Sequence, residues 1–265
     1  MTSRFTTIDL SNFNLKSGEL IDTLESDGEY IEVREINGIR WFHFSSPAIQ
    51  SAMVIKRPEQ LILPYSKTLL ATFMFQQSPN KVLSLGLGGG AMERFFKHKL
   101  PQVSMRSIEL SPLVIKVCRK YFNISHEEYD VICNDAEVYL AHSREIYETI
   151  YCDIFGQDGT PDCLTKTSFY LNLSKALSDD GIAAINLIMK DGTELLKILQ
   201  AVYPHFDTMA LLDVPEDKNI ILFLSKRPPT PISEQNIDTL AKTFDVDMPL
   251  LQKLMRFIPN PKNQD

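Results

Sequence analysis

The chain has 265 residues, of which 44% are hydrophobic and 23% charged, with a formal net charge of −7 and a pI near 5.3. That length buries a sizeable core, and the composition excludes a disordered or fibrous chain, so one large domain with smaller appendages is expected. The negative balance argues against an extended phosphate-binding surface; it suits a cationic small substrate as readily as it serves plain solubility, and no nucleic-acid partner is expected.

No apolar run approaches the roughly 18 residues of a membrane span, and the N-terminal MTSRFTTIDLSNF lacks the apolar core of a secretory leader. Neither a membrane partner nor secretion is expected, and the default location is cytoplasmic. Cys118, Cys133, Cys152 and Cys163 form no C-x-x-C pair and read as free thiols. The histidines at 43, 98, 126, 142 and 205 show no ligand spacing, so no metal is expected.

Residues 29–44, EYIEVREINGIRWFHF, alternate apolar and polar side chains about Asn37-Gly38, the pair that supplies the positive φ angles of a type I′ hairpin. A further apolar stretch over Ile49–Ile55 adds a strand, giving a small N-terminal β-hairpin unit over 1–58. Leu61–Gln77 reads as a helix starting near Pro64. From there the pattern changes. Strands over Lys81–Leu85, Val103–Ile108, Tyr129–Cys133, Glu148–Cys152 and Gly181–Ile188 alternate with helices over 91–99, 112–122, 135–142, 164–178 and 192–203. Such alternation with near-continuous apolar strands predicts a parallel sheet covered on both faces. His205–Leu212 and Asn219–Ser225 are joined only by DVPEDK, too short for a crossover, and must pair antiparallel. This α/β domain spans 59–228. After KRPPTP, helices over 233–243 and 248–257 form a C-terminal helical extension, 229–265.

In an open parallel sheet the ligand sits beyond the C-terminal ends of the strands. The first of these strands runs into VLSLGLGGGAMERFF, residues 82–96; the second ends in Glu109, the third leads to Asp135 and the fourth to Asp153. Glycines at 86, 88 and 90 let a ligand approach the backbone closely, and the following helix start offers unpaired N–H groups. Glu109 follows Gly86 at close to the ~20-residue spacing at which an acidic side chain takes ribose hydroxyls. An adenosine-containing ligand is the natural inference, with Asp135 accepting the exocyclic amine. Taken singly, Glu109 reads equally as a solvated strand end and Asp135 as a helix N-cap; it is the coincidence at four strand ends that argues for a nucleoside. NAD competes, but Gly86-Leu87-Gly88-Gly89-Gly90-Ala91 fits G-x-G-x-x-G only in its relaxed form, and the antiparallel end of the sheet differs from a dinucleotide fold.

VLSLGLGGGAMERFF, SIELSPLVIKVCRKYF, CNDAEVYL, YCDIFGQDGTP and LTKTSFYLNLSKALSDDGIAAINL together resemble the spermidine synthase (polyamine aminopropyltransferase) family, within the class I S-adenosylmethionine-dependent methyltransferase superfamily. The similarity runs from near Tyr30 to near Ser225. It implies a Rossmann-like, mostly parallel seven-stranded sheet with an antiparallel last strand, preceded by the small β unit. It also implies that Glu109 binds the donor's ribose, Asp135 its adenine amine, that Gly86, Gly88 and Gly90 shape the donor pocket, and that Gln50 contacts the donor. Asp153 matches the first aspartate of a D-S-x-D-P gate loop, and Tyr65 lies where the family has an acceptor-side aromatic.

Two departures stand out. The family's G-G-G-D-G-G aspartate, which faces the donor's ammonium, is here Gly89. The gate loop reads Asp153-Ile154-Phe155-Gly156, so its second aspartate is missing; Asp158 replaces it if the loop turns inward, and otherwise Asp158-Gly159 is a simple turn.

The resemblance implies aminopropyl transfer from decarboxylated S-adenosylmethionine to a small amine, spermidine synthesis from putrescine being the nearest named reaction, with Asp153 and then Asp158 as catalytic carboxylates. A small-molecule methyltransferase using intact S-adenosylmethionine is the alternative, and a nucleoside-binding module without catalysis is a third. A homodimer through the β unit is what family resemblance suggests.

Overall fold

Two glycine-containing turns build the N-terminal sheet. In the computed structural model, which describes residues 17–44, 49–155, 160–189, 191–230 and 232–261, Asn37 and Gly38 adopt φ of 51° and 78°, as the hairpin reading requires. Asp27 and Gly28 repeat the device at 50° and 80°. Four strands follow in the antiparallel order β1 (Glu19–Ser26), β2 (Glu29–Ile36), β3 (Ile39–His43) and β4 (Ser51–Val54). The sequence reading misses β1 because its charged residues dilute the apolar alternation, although Asp-Gly is as strong a turn signal as Asn-Gly.

The main sheet carries strands β5 (Lys81–Leu85), β6 (Ser104–Glu109), β7 (Asp130–Cys133), β8 (Tyr147–Cys152), β9 (Leu177–Leu187), β10 (Thr208–Asp213), β11 (Ile220–Ser225) and β12 (Arg256–Ile258), in the order β12-β10-β11-β9-β8-β5-β6-β7. Strands β7, β6, β5, β8 and β9 are parallel, and β11 runs antiparallel to both β9 and β10. The mostly parallel α/β fold with an antiparallel closing strand is therefore as expected. The sheet has eight strands rather than seven, because residues 256–258, read as the end of a helix, extend along β10 after α8 (Met248–Leu254) ends.

Helix α1 (Pro64–Leu69) passes into a 3₁₀ turn over Leu70–Met74 and so falls short of the 61–77 helix expected. Strand β9 starts earlier than expected: between its pairings of Leu177 with Tyr147 and Ile182 with Thr149 it bulges, and exposed Asp179 and Asp180 are held by Arg227. A polar Asp-Asp-Gly reads as loop, yet a bulge can carry it within a strand.

Helices α4 (Ala136–His142), α5 (Thr167–Ala176) and α6 (Gly192–Val202) cover one face of the sheet, around Phe169, Leu173 and Ile198. Helices α1, α2 (Ala91–Lys99), α7 (Glu234–Phe244) and α8 cover the other, around Phe73, Phe96 and Met248. The N-terminal sheet packs Ile31, Val33 and Phe42 against α3 (Pro112–Tyr121) and against Leu87 of the glycine turn. That contact places the β unit directly over the first strand–helix junction.

Candidate active site

Strand order reverses between β5 and β8, whose following helices pack on opposite faces of the sheet, and it is beyond the C-terminal strand ends at such a switch point that open α/β sheets bind ligands. The backbone there is tightly tied: Gly86 N–H donates to Ile108 O at 2.8 Å, Asp153 N–H to Leu85 O at 2.8 Å, and Asn134 N–H to Glu109 O at 3.0 Å. Asp153, the glycine turn, Glu109 and Asp135 thus lie along one edge in the strand order β8-β5-β6-β7, with ~4.8 Å between neighbouring strands.

Gly86 has φ of 93°, and a Cβ there would lie 2.2 Å from the carbonyl oxygen of Asp153. Glycine is needed both for the left-handed backbone and for the close approach of the two loops. A Cβ on Gly88 would meet nothing within 4 Å, so the space above the turn is open to a ligand. Gly89 is different. Its φ is not positive, but a Cβ would lie 2.2 Å from Ser51 Oγ and 2.6 Å from Ser51 Cβ. The missing acid of the turn is thus matched by a buried serine from β4 that fills its space.

Glu109 is held from two sides: Leu87 N–H donates to its Oε2 at 3.0 Å and Ser111 N–H to its Oε1 at 2.9 Å. Burial raises its pKa, while these N–H bonds pull it back. Gly88 N–H acts on Glu109 as well, and since a carboxylate has about four lone-pair positions these three backbone donors leave acceptor capacity at the strand end. Asp135 Oδ1 caps α4, accepting from Val138 N–H at 2.9 Å. The cap reading is therefore correct, and it leaves the carboxylate at the strand end where a nucleobase amine is expected. Gln50 is partly exposed, donates its N–H to Phe42 O at 3.1 Å, and leads into Ser51 beside the turn.

Asp153 receives two side-chain donors. Asn186 Nδ2 donates to Oδ1 at 2.8 Å, and the Tyr65 hydroxyl, carried by the first turn of α1, donates as well. Burial pushes the Asp153 pKa up and these two donors lower it. The Tyr65 hydroxyl is pushed well above its ordinary range, first by burial and then by the Asp153 charge, so it stays a proton donor. Asp158 lies outside the described residues. Asn186, 1% exposed at the end of β9, went unread in the sequence; an asparagine in the otherwise apolar run AAINL was the available signal. Among the described residues, no group of three or more His, Cys, Asp or Glu side chains is arranged to hold a metal ion.

A mostly parallel sheet closed by an antiparallel strand, with a glycine turn and a row of carboxylates at its switch point, is the class I methyltransferase-type fold. Residues 64–190 match the spermine/spermidine synthase domain. A polyamine aminopropyltransferase of Neisseria meningitidis is 27% identical over 220 residues, 81% of this chain and 82% of its own. Among solved structures, a probable spermidine synthase from Corynebacterium glutamicum superposes with a TM-score of 0.71 at 17% identity, covering 90% of each chain. Human methyltransferase-like protein 13, solved with SAH, gives a TM-score of 0.59 at 20% identity, over 69% of this chain and 90% of that one. Both likenesses are of fold.

Proposed function

We propose that this transferase binds an adenosyl sulfonium over the glycine turn and moves an aminopropyl group from it to a small amine, with Asp153 facing the amine. The observation that carries the reading is the Asp153 carboxylate, held by Asn186 and Tyr65 at the switch point on a residue whose backbone carbonyl packs against Gly86.

The chemistry asks little of the protein beyond placement. An amine lone pair attacks the methylene beside the positive sulfur; a C–N bond forms, and the C–S bond breaks with its electrons neutralising the sulfur, releasing a thioether nucleoside. The attacking nitrogen sheds a proton. A carboxylate beside it attracts the cationic amine, orients it and accepts that proton, and such positioning supplies most of the rate. The raised pKa of Asp153 suits an acceptor that must also release the proton again. Glu109 holds the ribose hydroxyls, Asp135 the adenine amine, Gln50 a further donor edge, and Gly86, Gly88 and Gly90 the cradle. Tyr65 orients Asp153 on the acceptor side, and Asp158 serves as the second carboxylate.

The Gly89–Ser51 contact favours a second reading, a small-molecule methyltransferase using intact S-adenosylmethionine, because no turn carboxylate repels that donor's own carboxylate. Side-by-side calorimetric titration with decarboxylated S-adenosylmethionine, S-adenosylmethionine and methylthioadenosine, followed by product analysis with diamines, separates the readings. Aminopropyl transfer yields methylthioadenosine, and Asp153→Asn loses turnover with donor binding retained. A demethylated sulfide product overturns it in favour of methyl transfer; nucleoside binding without any product leaves a binding module.

A further inference from the structure

Asn219 stands just before β11, and β11 runs antiparallel to β9, with Ile220 opposite Leu187 and Ile221 opposite Asn186. The start of this strand, not its end, therefore lies at the edge where the parallel strands deliver Glu109 and Asp153. There Asn219 Nδ2 donates to Asn186 Oδ1 at 2.8 Å, and Asn186 Nδ2 donates to Asp153 Oδ1 at 2.8 Å. Asn219 is 6% exposed and Asn186 1%, so water is not at hand to replace either bond.

We infer that Asn219 is a positioning residue: by occupying the carbonyl end of Asn186 it forces the amide end toward Asp153 and so keeps Asp153 an acceptor-only carboxylate facing the amine.

The argument is one of direction. An asparagine side chain offers an oxygen that only accepts and an NH₂ that only donates. Left alone, the Asn186 amide can present either end to a carboxyl: NH₂ to the ionised form, oxygen to the protonated one. Asn219 restricts the choice, because turning Asn186 alone would set its NH₂ against the Asn219 NH₂ and its oxygen against Asp153, so the amide can turn only if Asn219 turns with it. Both buried mismatches are costly. The remaining groups around Asp153 do not settle its protonation alone: Tyr65 donates to it, buried Glu93 on α2 feels its charge, Cys152 precedes it, and the Asp217 charge acts on Tyr65.

The consequence is specific to replacing Asn219 by its isostere. In Asn219→Asp the new carboxylate accepts from Asn186, the amide turns over, and its oxygen faces Asp153, so the two acids titrate as a pair and one keeps its proton to higher pH. This inference rests on the reading of Asp153 as the amine-facing carboxylate, and the test separates the two. The Asp153 carboxyl is followed by ¹³C NMR in protein labelled at aspartate Cγ, assigned by its loss in Asp153→Asn, and kcat/KM is measured against pH. The expected result is a rise of one pH unit or more in the Asp153 midpoint in Asn219→Asp, an equal shift of the acid limb of kcat/KM, and donor affinity within twofold of wild type. Asn219→Ala gives a smaller shift. An unmoved midpoint in folded Asn219→Asp overturns the inference; a moved midpoint with no turnover in the wild type keeps the inference and removes the proposed reaction. If Asn219→Asp does not fold, the side-chain NH₂ resonances of Asn186 and Asn219 in the wild type decide. Both follow the Asp153 titration if the relay exists, and an Asn219 signal that ignores it overturns the relay.

Discussion

The side chain of Ser51 occupies the space that a side chain on Gly89 would need, with the hypothetical Cβ 2.2 Å from its Oγ. Gly89 is a glycine because β4 closes on it, not because its backbone demands one. The N-terminal sheet and the glycine turn are therefore packed directly on each other, and a change in one is felt by the other.

Gly89→Asp alone forces Ser51 and β4 outward and costs about 1–3 kcal/mol of stability, as overpacking does. The double variant Ser51→Gly, Gly89→Asp relieves the clash and adds a carboxylate to the turn. It is expected to regain most of the lost stability and to shift donor preference toward decarboxylated S-adenosylmethionine by about tenfold, the worth of one charge-assisted contact. Denaturant melts and paired calorimetric titrations check both; a double variant with unchanged donor preference shows that position 89 does not face the donor's tail.

Gly86→Ala places a Cβ 2.2 Å from the Asp153 carbonyl oxygen at φ of 93°. The obstacle is backbone and cannot swing aside. The left-handed strain of ~1–2 kcal/mol adds to the clash, and Asp153 shifts with the loop. Both stability and turnover are expected to fall, whereas Gly88→Ala, with open space around it, costs only its backbone strain.

Glu109→Gln keeps the size of the side chain but sets an NH₂ against one of the N–H groups of Leu87 or Ser111. A buried donor left without its acceptor costs about 1–3 kcal/mol. Donor affinity is expected to fall by tenfold or more and the melting temperature to drop with it. Unchanged donor affinity removes Glu109 from the ribose site.

Glu93 on α2, 4% exposed, takes a hydrogen bond from Ser107 Oγ at 2.6 Å. Burial raises its pKa from 4.5 to about 7. Between these values the folded protein holds a proton that the unfolded chain has released, so stability falls as pH rises from about 4.5 to about 7 and stays lower above. Glu93→Gln still accepts from Ser107 without ionising, and it is expected to remove that slope and to stabilise the protein at pH 8 by an amount of the order of 2–3 kcal/mol. Urea unfolding at pH 5, 6, 7 and 8 on both proteins checks it; parallel curves would show that Glu93 ionises normally.

Local patterns made the parallel strands, the Asn37-Gly38 hairpin, the antiparallel β10–β11 pair and the row Gly86, Glu109, Asp135, Asp153 legible in the sequence, because each is written in neighbouring residues: apolar runs, turn pairs, strand ends. The sequence also disclosed that position 89 lacks an acid. Only the tertiary structure explained that absence, since Ser51 meets Gly89 from a separate sheet. It alone supplied the support of Asp153, where Tyr65 on a helix, Asn186 on β9 and Asn219 just before β11 converge from places distant along the chain. An antiparallel strand brings its beginning to the edge where parallel strands bring their ends, and no local pattern records which residue then stands beside which.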